Sequence, residues 1–371
     1  MKIAIIYVTE KGKKVSFELK SLLDLDSTVI RVDLYHGDVK NTVGEIFNSY
    51  DIIVGVMAIG ILIRSIAPHI VSKTTDPGVI CIDDRGEFVV SLLSGHIGRA
   101  NEICEKIAYL ISSQAVITTA TDKLNKLGID KLSAQFYWEI LNPKNILTIN
   151  KAVLNDEKIY LYSTFDISYI KDYILDFETD FTLEIDLLEG EFSNFLNENY
   201  DLGFDGSDFK GFILAISESE LNKINNNTLN EDEDIFSNVL LMVEKNIVLG
   251  IGARKNISHE DVLMAIESAC DDLLIDSSRI NSFATASIKK DEKGILNAVE
   301  ILDRPLQIVD LEDIKNFKCE DCSKSEFVKE KFDIDGVCEQ SALIAAGLGS
   351  KLIYKKTAFD GVTIAIALSK E

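Results

Sequence analysis

Asp51-Ile52-Ile53-Val54-Gly55-Val56-Met57 runs straight into Ala58-Ile59-Gly60-Ile61-Leu62-Ile63-Arg64. A short, fully apolar run reads as a buried strand. The stretch after it predicts a short helix over 60–66, stopped near Pro68, whose ring cannot continue it. Strand followed by helix is the unit of an α/β layer, and the alternation extends outward on both sides. Upstream, residues 3–8 are apolar, 14–23 amphipathic, 27–34 strand-like and 41–50 helical. Downstream, residues 79–82 and 87–92 flank Asp83-Asp84-Arg85-Gly86, a hairpin signal. Ile97, Ala100, Cys104, Ile107 and Ile111 recur at helical steps and predict a helix over 97–111, with a further strand at 115–118. The expected fold is α/β, with a largely parallel sheet in an N-terminal domain of residues 1–134.

Residues 135–221 form a less informative middle segment, with strands expected at 158–162 and 212–217 and helical stretches between. Asn225-Asn226-Asn227 followed by Glu231-Asp232-Glu233-Asp234 marks residues 222–235 as a solvated linker. From 236 to 371 the alternation restarts as a separate C-terminal α/β domain. A strand over 247–251 leads into Gly250-Ile251-Gly252. Ser258-His259-Glu260-Asp261 is a variant capping box before a helix that turns Val262, Ile266, Ala269 and Leu273 inward. Residues 280–288, 292–302, 337–346 and 362–368 read as strand, helix, helix and strand. No internal repeat is present.

With 371 residues the chain is long enough for two or three domains with separate cores. Its 46% hydrophobic and 27% charged residues are those of a soluble globular protein. A net charge of −23 repels nucleic acid and anionic membranes, so neither is an expected partner. The longest apolar run, from Ile52 to Ile63, falls well short of the roughly 20 residues of a spanning helix. The N-terminus lacks the shape of a signal peptide, and six cysteines without a regular framework point to a reducing, cytoplasmic setting without structural disulfides.

Four signatures crowd into residues 57–122, each placing glycine or hydroxyl residues beside a charged or titratable one. They are Ala58 to Arg64; Lys73-Thr74-Thr75-Asp76-Pro77; Ser91-Leu92-Leu93-Ser94-Gly95-His96-Ile97-Gly98; and Val116-Ile117-Thr118-Thr119-Ala120-Thr121-Asp122. Glycine lets a backbone approach a ligand closely, and the polar side chains supply directional contacts. Of the four histidines, only His96 lies in a Gly/Ser loop that opens a strong helix, where free N–H groups would suit an oxyanion. Its alternative reading is a capped turn, with Ser94 as cap. Asp76 and Asp122 would share a cleft if both loops sat at the carboxyl ends of parallel strands. Cys319-Glu320-Asp321-Cys322 has redox or metal spacing, but without a second pair and with acidic neighbours it reads as incidental. No zinc, P-loop, dinucleotide or nucleophile-elbow signature appears.

These motifs, with Asn101, Leu249-Gly250-Ile251-Gly252, Ser287-Ile288, Lys290, Glu292, Gly294, Cys338-Glu339, Ala342 and residues 361–365, resemble the CbiG family. Residues 51–134 and 247–368 carry the resemblance. Arg99 stands where the family often has glycine, Gln340 where proline is frequent and Ile59 where threonine is frequent. Ala253 stands where cysteine is common, so a cysteine nucleophile there is excluded.

The resemblance implies a hydrolase of anaerobic cobalamin synthesis acting on cobalt-precorrin-5A. Such an enzyme opens the ring A δ-lactone and releases acetaldehyde to give cobalt-precorrin-5B. It further implies His96 as base, with Asp76 or Asp122 orienting it or serving a second proton transfer, and the backbone of residues 95–98 as oxyanion site. Arg64, Lys73 and Arg99 would bind carboxylates of the cobalt-bound tetrapyrrole, with Gly60, Thr74, Thr75, Ser94, Gly95, Gly98, Asn101, Thr118 and Thr119 lining the site. Glu339 would close the cleft. No metal site or cofactor is expected, since cobalt arrives with the substrate. Other corrin-pathway enzymes are possible partners, and the oligomeric state is left open. A non-catalytic tetrapyrrole carrier is the alternative, and a regulatory protein that binds a small anion is a weaker one.

Overall fold

The computed structural model describes residues 1–157, 159–163, 167–175, 177, 188–189, 211–216, 239–326, 329–330, 334 and 336–370. The expected linker at 222–235 and most of the stretch between the strands of the middle segment lie outside the described residues.

The first unit comprises β1 (Lys2–Tyr7), α1 (Glu10–Leu23), β2 (Arg31–His36), α2 (Val39–Ile46), β3 (Ile52–Val56), α3 (Ile59–Ile66), β4 (Gly78–Ile82), β5 (Phe88–Leu93), α4 (Ala100–Leu110), β6 (Gln114–Val116), α5 (Ala120–Lys123) and α6 (Ile129–Gln135). The middle unit holds β7 (Trp138–Ile140), α7 (Ile146–Leu154), β8 (Ile159–Ser163), α8 (Ile170–Leu175), β9 (Leu188–Glu189), β10 (Gly211–Ile216) and β11 (Val239–Glu244). The last contains β12 (Ile247–Ala253), α9 (His259–Asp272), β13 (Ser282–Ala286), α10 (Lys293–Ile301), β14 (Leu306–Val309), α11 (Leu311–Asn316), α12 (Cys338–Ala346), β15 (Lys351–Phe359) and β16 (Val362–Leu368). Among the described residues no helix is long and apolar enough to cross a membrane.

The first sheet has the order β2-β1-β3-β4-β5-β6. β1 to β4 are mutually parallel. The inner strands β1, β3 and β4 are apolar on both faces, as strands covered by helices on both sides must be, while the edge strand β2 buries only Val32. Ile3, Ile5, Val54 and Ile80 pack toward α1 and α4, while Ala4, Ile6, Ile53 and Val79 pack toward α2 and α3. The Asp83–Gly86 turn then reverses the chain. Gly86 takes φ +71°, and Asp83 accepts backbone N–H bonds from Arg85, Glu87 and Phe88. β5 is therefore antiparallel to β4, and β6 is parallel to β5. The carboxyl ends of β5 and β6 thus lie at the amino end of β4, where Leu93 faces Val79.

The second and third sheets, β7-β11-β10-β8-β9 and β14-β13-β12-β16-β15, share one hydrophobic core. Helix α12 lies directly on β12. A β-carbon at Gly250 would stand 2.2 Å from the Cys338 carbonyl oxygen and 3.0 Å from Ala342 Cβ. Gly250→Ala must push helix from strand, so it is expected to destabilise the protein by about 1–3 kcal/mol, measured by urea unfolding. A change below about 0.5 kcal/mol would show that the contact yields freely.

Candidate active site

Three of the four signature loops meet because β5 runs backward. The 73–77 loop enters β4, the 94–99 loop leaves β5 and the 118–122 segment leaves β6, all at one sheet edge. The expectation that these loops share an edge is met, but that edge is the amino end of β1, β3 and β4. Gly60 and Arg64 follow the carboxyl end of β3 and lie at the opposite edge. There the Arg64 guanidinium folds back over Gly60, and it takes no part in this cluster.

His96 is the centre. Its side chain is only 7% exposed, with Nε2 2.9 Å from Asp122 Oδ2 and Nδ1 3.0 Å from Asp130 Oδ1. Gly128 permits this closeness, since a β-carbon there would come within 3.2 Å of the His96 ring and 3.1 Å of Asp130. Asn101 donates to Asp122 Oδ2 and to Thr119 Oγ1, both at 2.8 Å, and receives the Ser91 hydroxyl. Asn150 donates to Asp130. Outside the carboxylates stand two cations with exposed side chains, Lys131 at 3.4 Å from Asp122 and Lys73 at 3.7 Å from Asp130. The charges alternate: Lys73, Asp130, His96, Asp122, Lys131.

Burial works against a charged imidazole. The hydrogen bonds to Asp122 and Asp130 outweigh it and raise the His96 pKa to about 9. Burial likewise opposes the charge on each carboxylate. Hydrogen bonding to His96 prevails and lowers both Asp122 and Asp130 to about 2. The stabilisation tied to His96 is complete below 6.5 and is lost as pH rises through about 9. That tied to the carboxylates is complete above 3.8 and is lost as pH falls toward about 2.

A free base needs an unshared ring nitrogen, and His96 has none, so the expected base role does not fit its geometry. Of the two carboxylates expected near His96, Asp122 hydrogen-bonds its ring. Asp76 does not, because its carboxylate accepts the Val71 and Ser72 N–H groups and closes the loop before β4. The helix starts at Ala100 and not at 97, with Arg99 as its cap in the left-handed region at φ +57°. That conformation is one that glycine adopts more readily than arginine. The N–H groups of Ala100 and Asn101 are taken by the carbonyls of Ser94 and Gly95, so the helix end is already capped by its own loop. Arg99 pairs with Glu102 and reaches the Tyr137 hydroxyl at 3.2 Å.

Gly98 is required for loop closure, since a β-carbon would lie 2.4 Å from Ser94 Cβ. Gly95 packs against the Asn101 amide. Ser94 Oγ and Thr121 Oγ1, both buried, have no hydrogen-bond partner among the described residues. Thr118 is exposed.

A cleft of about 1000 Å³ is walled by all three units. Thr74, Asp76 and Ile97 from the neighbouring loops line it, but Lys73, His96, Asp122, Asp130 and Lys131 do not, so Asp76 faces this cleft without Asp122. Thr74, Thr75, Asp76, Ile97, Gly98 and Arg99 line one side, and Tyr137, Lys245 and Lys351 line the others. Glu339 is absent from that lining. It is 1% exposed and accepts from Ser323 and from the Lys356 N–H, so it braces the last unit internally instead of closing the cleft.

Models of the N-terminal and C-terminal domains of cobalamin synthesis G match residues 41–122 and 247–367, together more than half of the chain. A Priestia megaterium protein named cobalt-precorrin-5A hydrolase is 26% identical over 91% of this chain and 83% of its own. A Methanocaldococcus jannaschii protein named as a probable cobalt-precorrin-5A hydrolase is 29% identical over 99% of both chains. The crystal structure of a cobalamin biosynthesis protein G homolog from Sulfolobus solfataricus is 27% identical, with a TM-score of 0.56, covering 100% of this chain and 97% of that one. With both domain models matched in order, the chain belongs to the CbiG family of cobalamin synthesis and is an enzyme of the hydrolase class.

Proposed function

We propose that this protein is a cobalt-precorrin-5A hydrolase, and that its chemistry centres on the His96 array. The observation that carries this reading is the imidazole held between two carboxylates, with Ile97, next to His96 in the chain, and Thr74, next to Lys73, lining a three-walled cleft. Water adds to the lactone acyl carbon and the acyl C–O bond breaks, leaving a carboxylate and an alcohol. Loss of the alcohol proton drives C–C cleavage. Acetaldehyde departs, the electron pair stays on the macrocycle carbon, and a proton returns there.

Asp122 is the half-buried member of the array and accepts the water and alcohol protons in turn. His96 remains an imidazolium that balances Asp122 and Asp130, and Asp122 hands the proton it took from the alcohol back to the macrocycle carbon. Lys73, as expected, and Lys131 face outward and bind carboxylates of the macrocycle, with Lys131 taking the place first given to Arg64 and Arg99. The buried hydroxyls of Ser94 and Thr121 are further donors for a reacting oxygen. Cobalt belongs to the substrate.

Anaerobic incubation with cobalt-precorrin-5A is expected to release stoichiometric acetaldehyde. Because the active form of His96 is protonated, the rate should hold through neutral pH and fall as pH rises through about 9. Tight binding without acetaldehyde would leave a carrier. A rate that instead rises with pH near the ordinary histidine pKa would restore His96 as the base.

A further inference from the structure

Cys319 and Cys322, three residues apart in sequence, are joined by a disulfide, which corrects the expectation of six free thiols and an incidental pair. The other four cysteines are buried and free. The four-residue ring sits where the last unit meets the first. Its sulfurs belong to a small cluster containing Leu343 and Leu352 of the last unit and Ile30 of the first. Asp321, inside the ring, places Oδ2 2.6 Å from Lys2 Nζ and Oδ1 3.6 Å from Arg31 Nη1, at the paired starts of β1 and β2. Ser323, just outside it, gives its N–H and hydroxyl to Glu339 at 2.6 and 3.0 Å. The ring is thus tied forward to the first sheet and backward to the helix on β12.

We propose that Cys319–Cys322 is a thiol–disulfide exchange site whose oxidised ring fastens the last unit to the first beside the cleft, and that a dithiol reductant opens it. The fastening acts through Asp321. A closed ring of four residues holds its carboxylate toward Lys2 and Arg31, and an open one leaves it free to rotate away. Both cysteines are partly exposed, so an attacking thiolate can reach a sulfur. One thiol of the reductant forms a mixed disulfide and expels the other cysteine as a thiolate, which takes a proton. The second reductant thiol then displaces the remaining cysteine. Two electrons and two protons pass to the pair, and the reductant leaves as its disulfide. Met1 and Lys351 line the cleft beside this contact, and Lys351 pairs with Asp51, which also accepts the Lys2 N–H. Loosening at Lys2 therefore reaches the cleft wall.

The test uses the full chain. After oxidised glutathione, alkylation under denaturing conditions should label the four free cysteines, and after dithiothreitol all six. Hydrogen exchange at residues 30–36 and 319–323 should speed up about tenfold on reduction, with strands β3 and β12 unchanged. Asp321→Asn, which keeps the ring, should raise exchange at 30–36 alone. Six labelled thiols after oxidation, or equal exchange in both redox states, overturns the proposal. Wild-type redox titration decides the matter even if Cys319→Ser/Cys322→Ser fails to fold, and no arm depends on hydrolase activity.

Discussion

His96→Ala should lower acetaldehyde release by about 10²–10⁴-fold and also destabilise the fold. Removing the ring takes away the cation between two carboxylates that each depend on it for a pKa of about 2. Lys73 and Lys131 are too exposed to replace it. Breaking a buried, paired charge system costs about 3–5 kcal/mol, so the two effects must be separated. His96→Ala/Asp130→Asn does this, because it removes one of the stranded charges and leaves Asp122 with Asn101 and Lys131. Much of the stability is expected to return in urea unfolding, while acetaldehyde release stays at the level of the single variant. If activity returns along with stability, His96 serves packing only and takes no part in the chemistry. If His96→Ala turns over at the wild-type rate, the array is not the active site.

The chemistry of this site was more legible than its geometry. Glycine and hydroxyl density around His96 marked loops that the fold does bring together, because close backbone approach at Gly98 demands particular residues locally. The turn at Asp83–Gly86 was also readable, yet it is this turn that sets β5 against β4 and moves the loops to the other sheet edge. Direction in a sheet is a long-range property, and no local pattern in Lys73 to Pro77 reports it. Ile97 kept the helical spacing for a different reason, since it packs against the core of the other two units while the helix begins at Ala100. Asp130 and Lys131 lie in an ordinary polar-apolar stretch of α6. Only Gly128, whose missing β-carbon leaves room for the His96 ring, marks the neighbourhood. β15 escaped notice because Lys355-Lys356 and register shifts near Tyr354 break the alternation that identifies strands.

Arg279 carries the second large expectation, and its role arises wholly from tertiary structure. It is fully buried. Nε donates to the Phe136 carbonyl at 2.8 Å and Nη2 to the Lys245 carbonyl at 2.7 Å, while Nη1 reaches Asn281 Oδ1 at 2.8 Å and Glu244 at 3.2 Å. One planar guanidinium thus joins the end of α6, the end of β11 and the start of β13. Glu244 is also held by Tyr169 at 2.8 Å and Asn281 at 3.1 Å. Exchanging a whole buried ion pair for apolar side chains can be neutral, because two desolvation costs vanish together. Arg279→Met removes only one side, stranding Glu244 and two carbonyls, so urea unfolding should report a loss of about 3–5 kcal/mol. Arg279→Lys keeps the charge but cannot reach so many fixed acceptors with one ammonium, and should recover only part of the loss. Adding Glu244→Gln to Arg279→Met should recover more than Arg279→Lys does, if the stranded carboxylate dominates the penalty. If Arg279→Met lies within about 0.5 kcal/mol of wild type, the guanidinium does not hold the units together, and their shared hydrophobic core alone suffices.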